Sequence, residues 1–160
     1  MLIIFDLDGT LFQTKPCDIA AVNHLFEELE LKKIENNVII NNIGKRTSEF
    51  LTSILPDNIK QQDVCERFRK LERIEVRENG ILFPGIVDLI EKLLLKGHIL
   101  NICSNGSLEY IGIVLEKTGI TKYFSKVYSA KEFSNKAEVI QTISSNNHKA
   151  VVIGDTISDI

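Results

Sequence analysis

The chain has 160 residues, 44% of them apolar and 26% charged, which suits one domain or one domain carrying a modest insertion. A net charge of −3 with no basic run argues against general nucleic-acid binding, because phosphate neutralisation needs clustered Lys and Arg. Three cysteines, at positions 17, 65 and 103, make no disulfide framework and read as free thiols of a reducing compartment. No stretch approaches the ~20 consecutive apolar residues of a membrane helix. The apolar start is interrupted by Asp6 and Asp8, with no basic leader or cleavage site after it. We therefore expect a soluble, cytoplasmic protein with no signal peptide.

In chain order, Leu2-Ile3-Ile4-Phe5 is a continuous apolar run, as in a strand covered on both faces, and Asp6-Leu7-Asp8-Gly9-Thr10 ends it. Ile19, Val22, Phe26 and Leu29 predict a helix over about 18–32. Phe50, Leu51, Ile54 and Leu55 predict a second, closed by Pro56, and Val64, Phe68 and Leu71 predict a third over about 61–78. From Leu82-Phe83-Pro84-Gly85 onward the texture changes and helix alternates with strand. Ile86 to Leu94 is an amphipathic helix, 99–103 a strand, and 108–118 a helix ended by Gly119. Val127-Tyr128 is a short strand, 137–143 a helix, and 150–153 a buried strand. Such alternation predicts a parallel sheet with helices on both faces.

The architecture expected is an α/β core of residues 1–13 and 81–160 with a helical insertion, 14–80, after the first strand. In such sheets ligands bind beyond the carboxyl ends of the strands. Three of the four predicted strand ends carry polar clusters: Asp6 and Asp8, Ser104 and Asn105, Gly154 and Asp155.

Asp6 and Asp8, two apart at a strand end, can face one side. Neighbouring carboxylates repel unless a cation or a shared proton compensates, which implies a Mg²⁺ site, a nucleophile with an acid/base partner, or both. Asp155 and Asp159 add two acids at another strand end, and an oxygen-only set without His or Cys matches Mg²⁺. Ser104 with the amides after it makes an anion cradle at a helix start, although in isolation the same residues read as ordinary capping. Lys136 precedes the 137–143 helix, in a loop between two of these strand ends. His24, His98 and His148 have no metal-spaced neighbours and read as structural or solvent-facing. Cys103 is expected buried and Cys17 partly exposed.

Together these segments resemble the haloacid dehalogenase superfamily of phosphohydrolases. Phe5-Asp6-Leu7-Asp8-Gly9-Thr10-Leu11-Phe12 matches its hydrophobic-DxDGT motif, and Asn101-Ile102-Cys103-Ser104-Asn105 matches an apolar strand ending in Ser or Thr. Lys136 fits the third motif, and Gly154-Asp155-Thr156-Ile157-Ser158-Asp159 the fourth, of GDxxxD form. The resemblance implies a Rossmann-like parallel-sheet core with an inserted helical cap. It makes Asp6 the nucleophile that takes up the phosphoryl group and Asp8 the general acid and base. Mg²⁺ would be held by the Asp6 carboxylate, the Asp8 carbonyl and Asp155, with Asp159 in support. Ser104, the amides near Asn105, and Lys136 would hold the phosphoryl oxygens.

Within the superfamily the chain resembles, the dehalogenases lack an acid at this place, so the resemblance with Asp8 present implies a phosphate ester over a halide. Segment 14–80 is similar to the helical cap of the phosphoglycolate phosphatase and phosphoglucomutase branch, where Lys45 or Arg46 would meet a second anionic group of the substrate; a solvated basic turn explains those two residues equally well. Two departures stand out. Ala137, where many relatives have proline, follows Lys136 and leaves Lys131 as a fallback. Relatives also continue past the fourth motif, so the resemblance implies that the C-terminal part of the core is missing and that 150–153 is left as an edge strand. The expected activity is Mg²⁺-dependent hydrolysis of a small phosphorylated metabolite. The alternatives are a β-phosphoglucomutase-like phosphotransferase and a non-catalytic phosphate-binding protein, and the sequence leaves oligomeric state open.

Overall fold

Leu2–Phe5 forms strand β1, and its apolar residues are all buried because neighbours flank it on both edges and both faces. The computed structural model describes residues 1–132, 136–145 and 150–155. Along the chain follow helices α1 (Thr14–Glu28), α2 (Asn36–Ile40), α3 (Thr47–Ile54), α4 (Gln61–Asn79) and α5 (Ile86–Leu95). Then come β2 (Ile99–Ser104), α6 (Leu108–Thr118), β3 (Lys126–Ser129), α7 (Lys136–Ser145) and β4 (Ala150–Ile153). Two units result: Met1–Gln13 with Ile81–Ile160, and Thr14–Gly80. No helix among the described residues is long and apolar enough to cross a membrane.

In the α/β unit the described strands make one parallel sheet in the order β3-β2-β1-β4, as the alternating pattern predicts. The register pairs Phe5 with Ile102 on one side and Ile153 on the other, so β1 and β4 end at one level and β2 runs two residues further, to Ser104. Side-chain alternation sends Leu2 and Ile4 to the face that α7 covers with Val139 and Ile143, beside Cys103 and Val152. The opposite face holds Phe5, whose ring meets Phe124 edge-on at 6.4 Å. After β1 the chain turns tightly, with the Leu11 and Phe12 amides donating to the Leu7 carbonyl. Residues on either side of the insertion are then stitched together: Gln13 N–H donates to Ile81 O at 3.0 Å, and Phe83 N–H to Leu11 O at 3.0 Å.

The helical unit has its own core. Ala21, Val22, Leu25 and Phe26 of α1 pack with Ile39, Phe50, Leu51, Ile54, Val64, Phe68 and Leu71, and the Phe50 and Phe68 rings lie 5.4 Å apart. Arg67 of α4 pairs with Glu28 of α1, and this hydrogen bond holds the Glu28 carboxyl below its ordinary range. Helix α3 stops at Ile54 because Leu55, preceding Pro56, is forced to extended backbone (ψ 149°).

Three expectations need correction. Helix α1 begins at Thr14 and ends at Glu28, earlier than the 18–32 span, because Pro16 sits in its first turn, where no amide is needed. Cys17 is consequently a helical core residue and buried, where partial exposure was expected. Helix α7 includes Lys136, so that lysine belongs to a helix where a loop position was expected.

Helix α6 begins at a true cap: Ser107, in extended conformation, accepts from Tyr110 N–H at 3.2 Å. Replacing Ser107 by Ala should lower stability by ~1 kcal/mol, seen as a thermal midpoint lower by roughly 2–4 °C.

Candidate active site

The same alternation that buries Leu2 and Ile4 places Asp6 on the α7 face, just past the end of β1. Its backbone N–H donates to Ile153 O at 2.8 Å, which keeps it beside the end of β4. On α7, Lys136, Val139 and Ile143 form one stripe at helical spacing. The two apolar residues fix the helix on the sheet, and Lys136 at its first turn meets the acid: Nζ lies 2.7 Å from Asp6 Oδ1. Both residues are buried, with Lys136 3% and Asp6 5% exposed, so the attraction acts where water screens it little.

Asp8 is half-buried and takes two donors. Ser104 Oγ, at the end of β2, donates to Oδ2 at 3.2 Å, and the Tyr110 hydroxyl donates to Oδ1 at 2.7 Å. Ser104 Oγ in turn accepts from Gly106 N–H at 3.0 Å, so the loop after β2 wraps around this hydroxyl. Gly106 is required by space: a Cβ there would lie 2.7 Å from Tyr110 Cδ1 and 3.3 Å from Ser104 Oγ. The far side of the loop is held by buried Ser129, whose Oγ donates to Gly106 O at 2.6 Å and accepts from Lys131 N–H at 3.2 Å. Lys131 itself is exposed, and it is Lys136 that reaches Asp6.

Asp155, two residues beyond β4, lies against the turn after β1. Thr10 Oγ1 donates to its Oδ1 at 3.3 Å. Gly9 has φ +79°, and a Cβ on it would fall 2.3 Å from Asp155 Oδ2, so the carboxylate fills space that any other residue would occupy. The α/β unit therefore gathers Asp6, Asp8, Ser104, Lys136 and Asp155 at one end of the sheet, with Asn105 next in the β2 loop. Asp159 lies outside the described residues. Among the described residues, no three His, Cys, Asp or Glu side chains gather at metal-binding spacing. Besides the Lys136 ammonium, the side-chain groups gathered at the sheet end are carboxylate and hydroxyl oxygens, the ligand type that suits a hard cation.

Lys45 and Arg46 belong to the helical unit. Lys45 Nζ donates to Asn42 Oδ1 at 2.5 Å and to Ser53 Oγ at 3.2 Å, and Arg46 is the extended residue just before α3. His24, read as structural or solvent-facing, is about half-exposed and lies 3.1 Å from the buried Glu75 carboxylate.

Sequence reasoning missed Tyr110, Thr10 and Ser129. Tyr110 lies on the apolar stripe of α6, where an aromatic reads as core and its hydroxyl goes unnoticed. Ser129 could have been found, because it makes the fourth strand end polar like the other three.

Residues 3–160 match the family described as haloacid dehalogenase-like hydrolase. The chain is 26% identical to the phosphoglycolate phosphatase of Agrobacterium fabrum over 99% of its own length and 74% of that protein. It is 28% identical to the pyrophosphatase PpaX of Oceanobacillus iheyensis, covering 99% and 76% respectively. Among solved structures, a haloacid dehalogenase-like family protein from Streptococcus pneumoniae superposes with a TM-score of 0.86 at 26% identity, over 99% of this chain and 77% of that one.

Proposed function

The chain belongs to the haloacid dehalogenase-like hydrolase family, among its phosphatases, and from that premise we propose a cytoplasmic, Mg²⁺-dependent enzyme. It hydrolyses a small phosphorylated metabolite of the phosphoglycolate kind through an aspartyl-phosphate. Residues 1–13 and 81–160 form the catalytic core, and 14–80 the cap that sets specificity, with Lys45 or Arg46 reading a second anionic group. The observation that carries this reading is the buried contact of Lys136 Nζ with Asp6 Oδ1 at 2.7 Å at the end of a central strand. An ammonium fixed there offsets the repulsion between a nucleophilic carboxylate and a phosphate dianion. The three free thiols suit a reducing compartment.

Each residue then has a task. Asp6 attacks phosphorus, and the leaving oxygen takes a proton from Asp8. Asp8 next removes a proton from the water that cleaves the acyl-phosphate, which returns Asp6 to its starting form. Ser104 and the amides of the Asn105-Gly106 loop hold phosphoryl oxygens, while Lys136 neutralises charge. Mg²⁺ would be held by the carboxylates of Asp6 and Asp155 and the Asp8 carbonyl, with Asp159 in support, and the chemistry it supplies is further neutralisation of the phosphate.

Phosphate release from an aryl phosphate and from phosphoglycolate tests the proposal. We expect turnover with Mg²⁺, loss to background in a chelator, and recovery when Mg²⁺ is returned. With a sugar phosphate we expect inorganic phosphate as product. Undiminished turnover in the chelator would remove the metal from the mechanism, and an isomeric sugar phosphate as product would replace hydrolysis by intramolecular transfer.

A further inference from the structure

Asp8 is held by two hydroxyls, and they cannot keep the same role once phosphate binds. Ser104 donates to Asp8 Oδ2 at 3.2 Å, yet it is also the hydroxyl assigned to a phosphoryl oxygen. Turning its proton toward phosphate releases Oδ2. Tyr110 donates to Oδ1 at 2.7 Å, and the proposed mechanism gives its hydroxyl no phosphoryl oxygen to hold. It is 5% exposed, its own amide is capped by Ser107 Oγ at 3.2 Å, and its ring edge lies against Gly106 in space that a Cβ would invade. The Ser104 hydroxyl can turn about its own bond toward phosphate, whereas the Tyr110 phenol is carried by a buried ring on a capped helix turn and keeps its direction.

Resting on the phosphatase reading, we infer that Tyr110 is the positioning residue of the acid/base carboxyl, anchoring Asp8 Oδ1 so that Oδ2 alone handles the proton. The chemistry supports this division. In the carboxylic acid form a proton sits on one oxygen, and the other, carbonyl-like oxygen still accepts from a phenol. In the carboxylate form Oδ1 accepts the same bond. The Tyr110 contact therefore survives both protonation states, and Oδ2 keeps one direction throughout. In the first step a new bond forms between an Asp6 oxygen and phosphorus. The bond from phosphorus to the ester oxygen breaks, its electron pair stays on that oxygen, and the Asp8 Oδ2 proton joins it. In the second step Oδ2 accepts a proton from water, and the water oxygen displaces Asp6 from phosphorus.

The test is Tyr110→Phe, which keeps the ring and removes the hydroxyl. Two esters are compared in Mg²⁺, an alkyl phosphate and 2,4-dinitrophenyl phosphate. The second leaves as a stabilised phenolate and needs no proton, so kcat/KM isolates the acid step. For the alkyl ester we expect kcat/KM to fall by roughly 10–100-fold, and for the dinitrophenyl ester by less than about 3-fold, since general acid catalysis contributes ~10²–10⁴-fold in all. The thermal midpoint should stay within a few degrees of the parent. An equal loss on both esters, or no loss on either, overturns the assignment while Asp6→Asn inactivity keeps the phosphatase reading standing. If the unaltered chain releases phosphate from neither ester, that reading fails and this one falls with it.

Discussion

Replacing Asp6 by Asn should abolish turnover, with a loss on the order of 10⁴-fold or more on any phosphate ester. Asn keeps the shape of the side chain and one oxygen acceptor, so Lys136 Nζ, now 2.7 Å from Asp6 Oδ1, retains a partner and α7 has no reason to leave the sheet. What is lost is the anionic nucleophile. An amide oxygen does not form the acyl-phosphate, and the neighbouring carboxylates among the described residues are turned elsewhere: Asp8 to Tyr110 and Ser104, and Asp155 to Thr10. Phosphate should bind the variant at least as tightly as the parent, since a negative charge facing it is gone. Initial rates with an aryl phosphate, together with calorimetric titration by inorganic phosphate, read both effects. A residual rate above about 1% of the parent would show that Asp6 does not attack phosphorus.

How much of this was legible beforehand depends on the residue. The β1 run and its abrupt end at Asp6 are plain in the sequence, because a strand covered on both faces reads as a continuous apolar run. The parallel architecture follows from alternating helix and strand. The partnership of Asp6 and Lys136 follows from two periods once α7 is placed on the sheet: every second residue of β1 and the i, i+3, i+7 stripe of α7 address the same face. Helix α2 was invisible, since five residues with two asparagines carry no periodic signal. Tyr110 was invisible for a different reason. Periodicity reports which side of a helix is apolar, and a tyrosine satisfies that test with its ring while its hydroxyl reaches a carboxylate from another strand. The sharp positive φ of Gly9 and the nearness of Asp155 to it depend on two loops meeting, which local pattern does not encode.

Replacing Lys136 by Met should act on stability as well as on rate. Met is similar in length and flexible, so the packing of Val139 and Ile143 on the sheet changes little. The buried Asp6 carboxylate, however, loses the ammonium 2.7 Å from it. Removing one member of a buried ion pair costs about 3–5 kcal/mol, because the remaining charge stays desolvated. For a chain of this size that corresponds to a midpoint lower by roughly 6–20 °C. Turnover should fall on the order of 10²–10³-fold, as when one preorganised charge is removed from a transition state. The double variant Asp6→Asn with Lys136→Met separates pairing from packing. With both charges gone, it should be more stable than Lys136→Met alone, although it carries one more substitution and stays inactive. Destabilisations that simply add would mean that the two side chains lie close without being coupled, and the electrostatic role given to Lys136 in attack by Asp6 would have to be withdrawn.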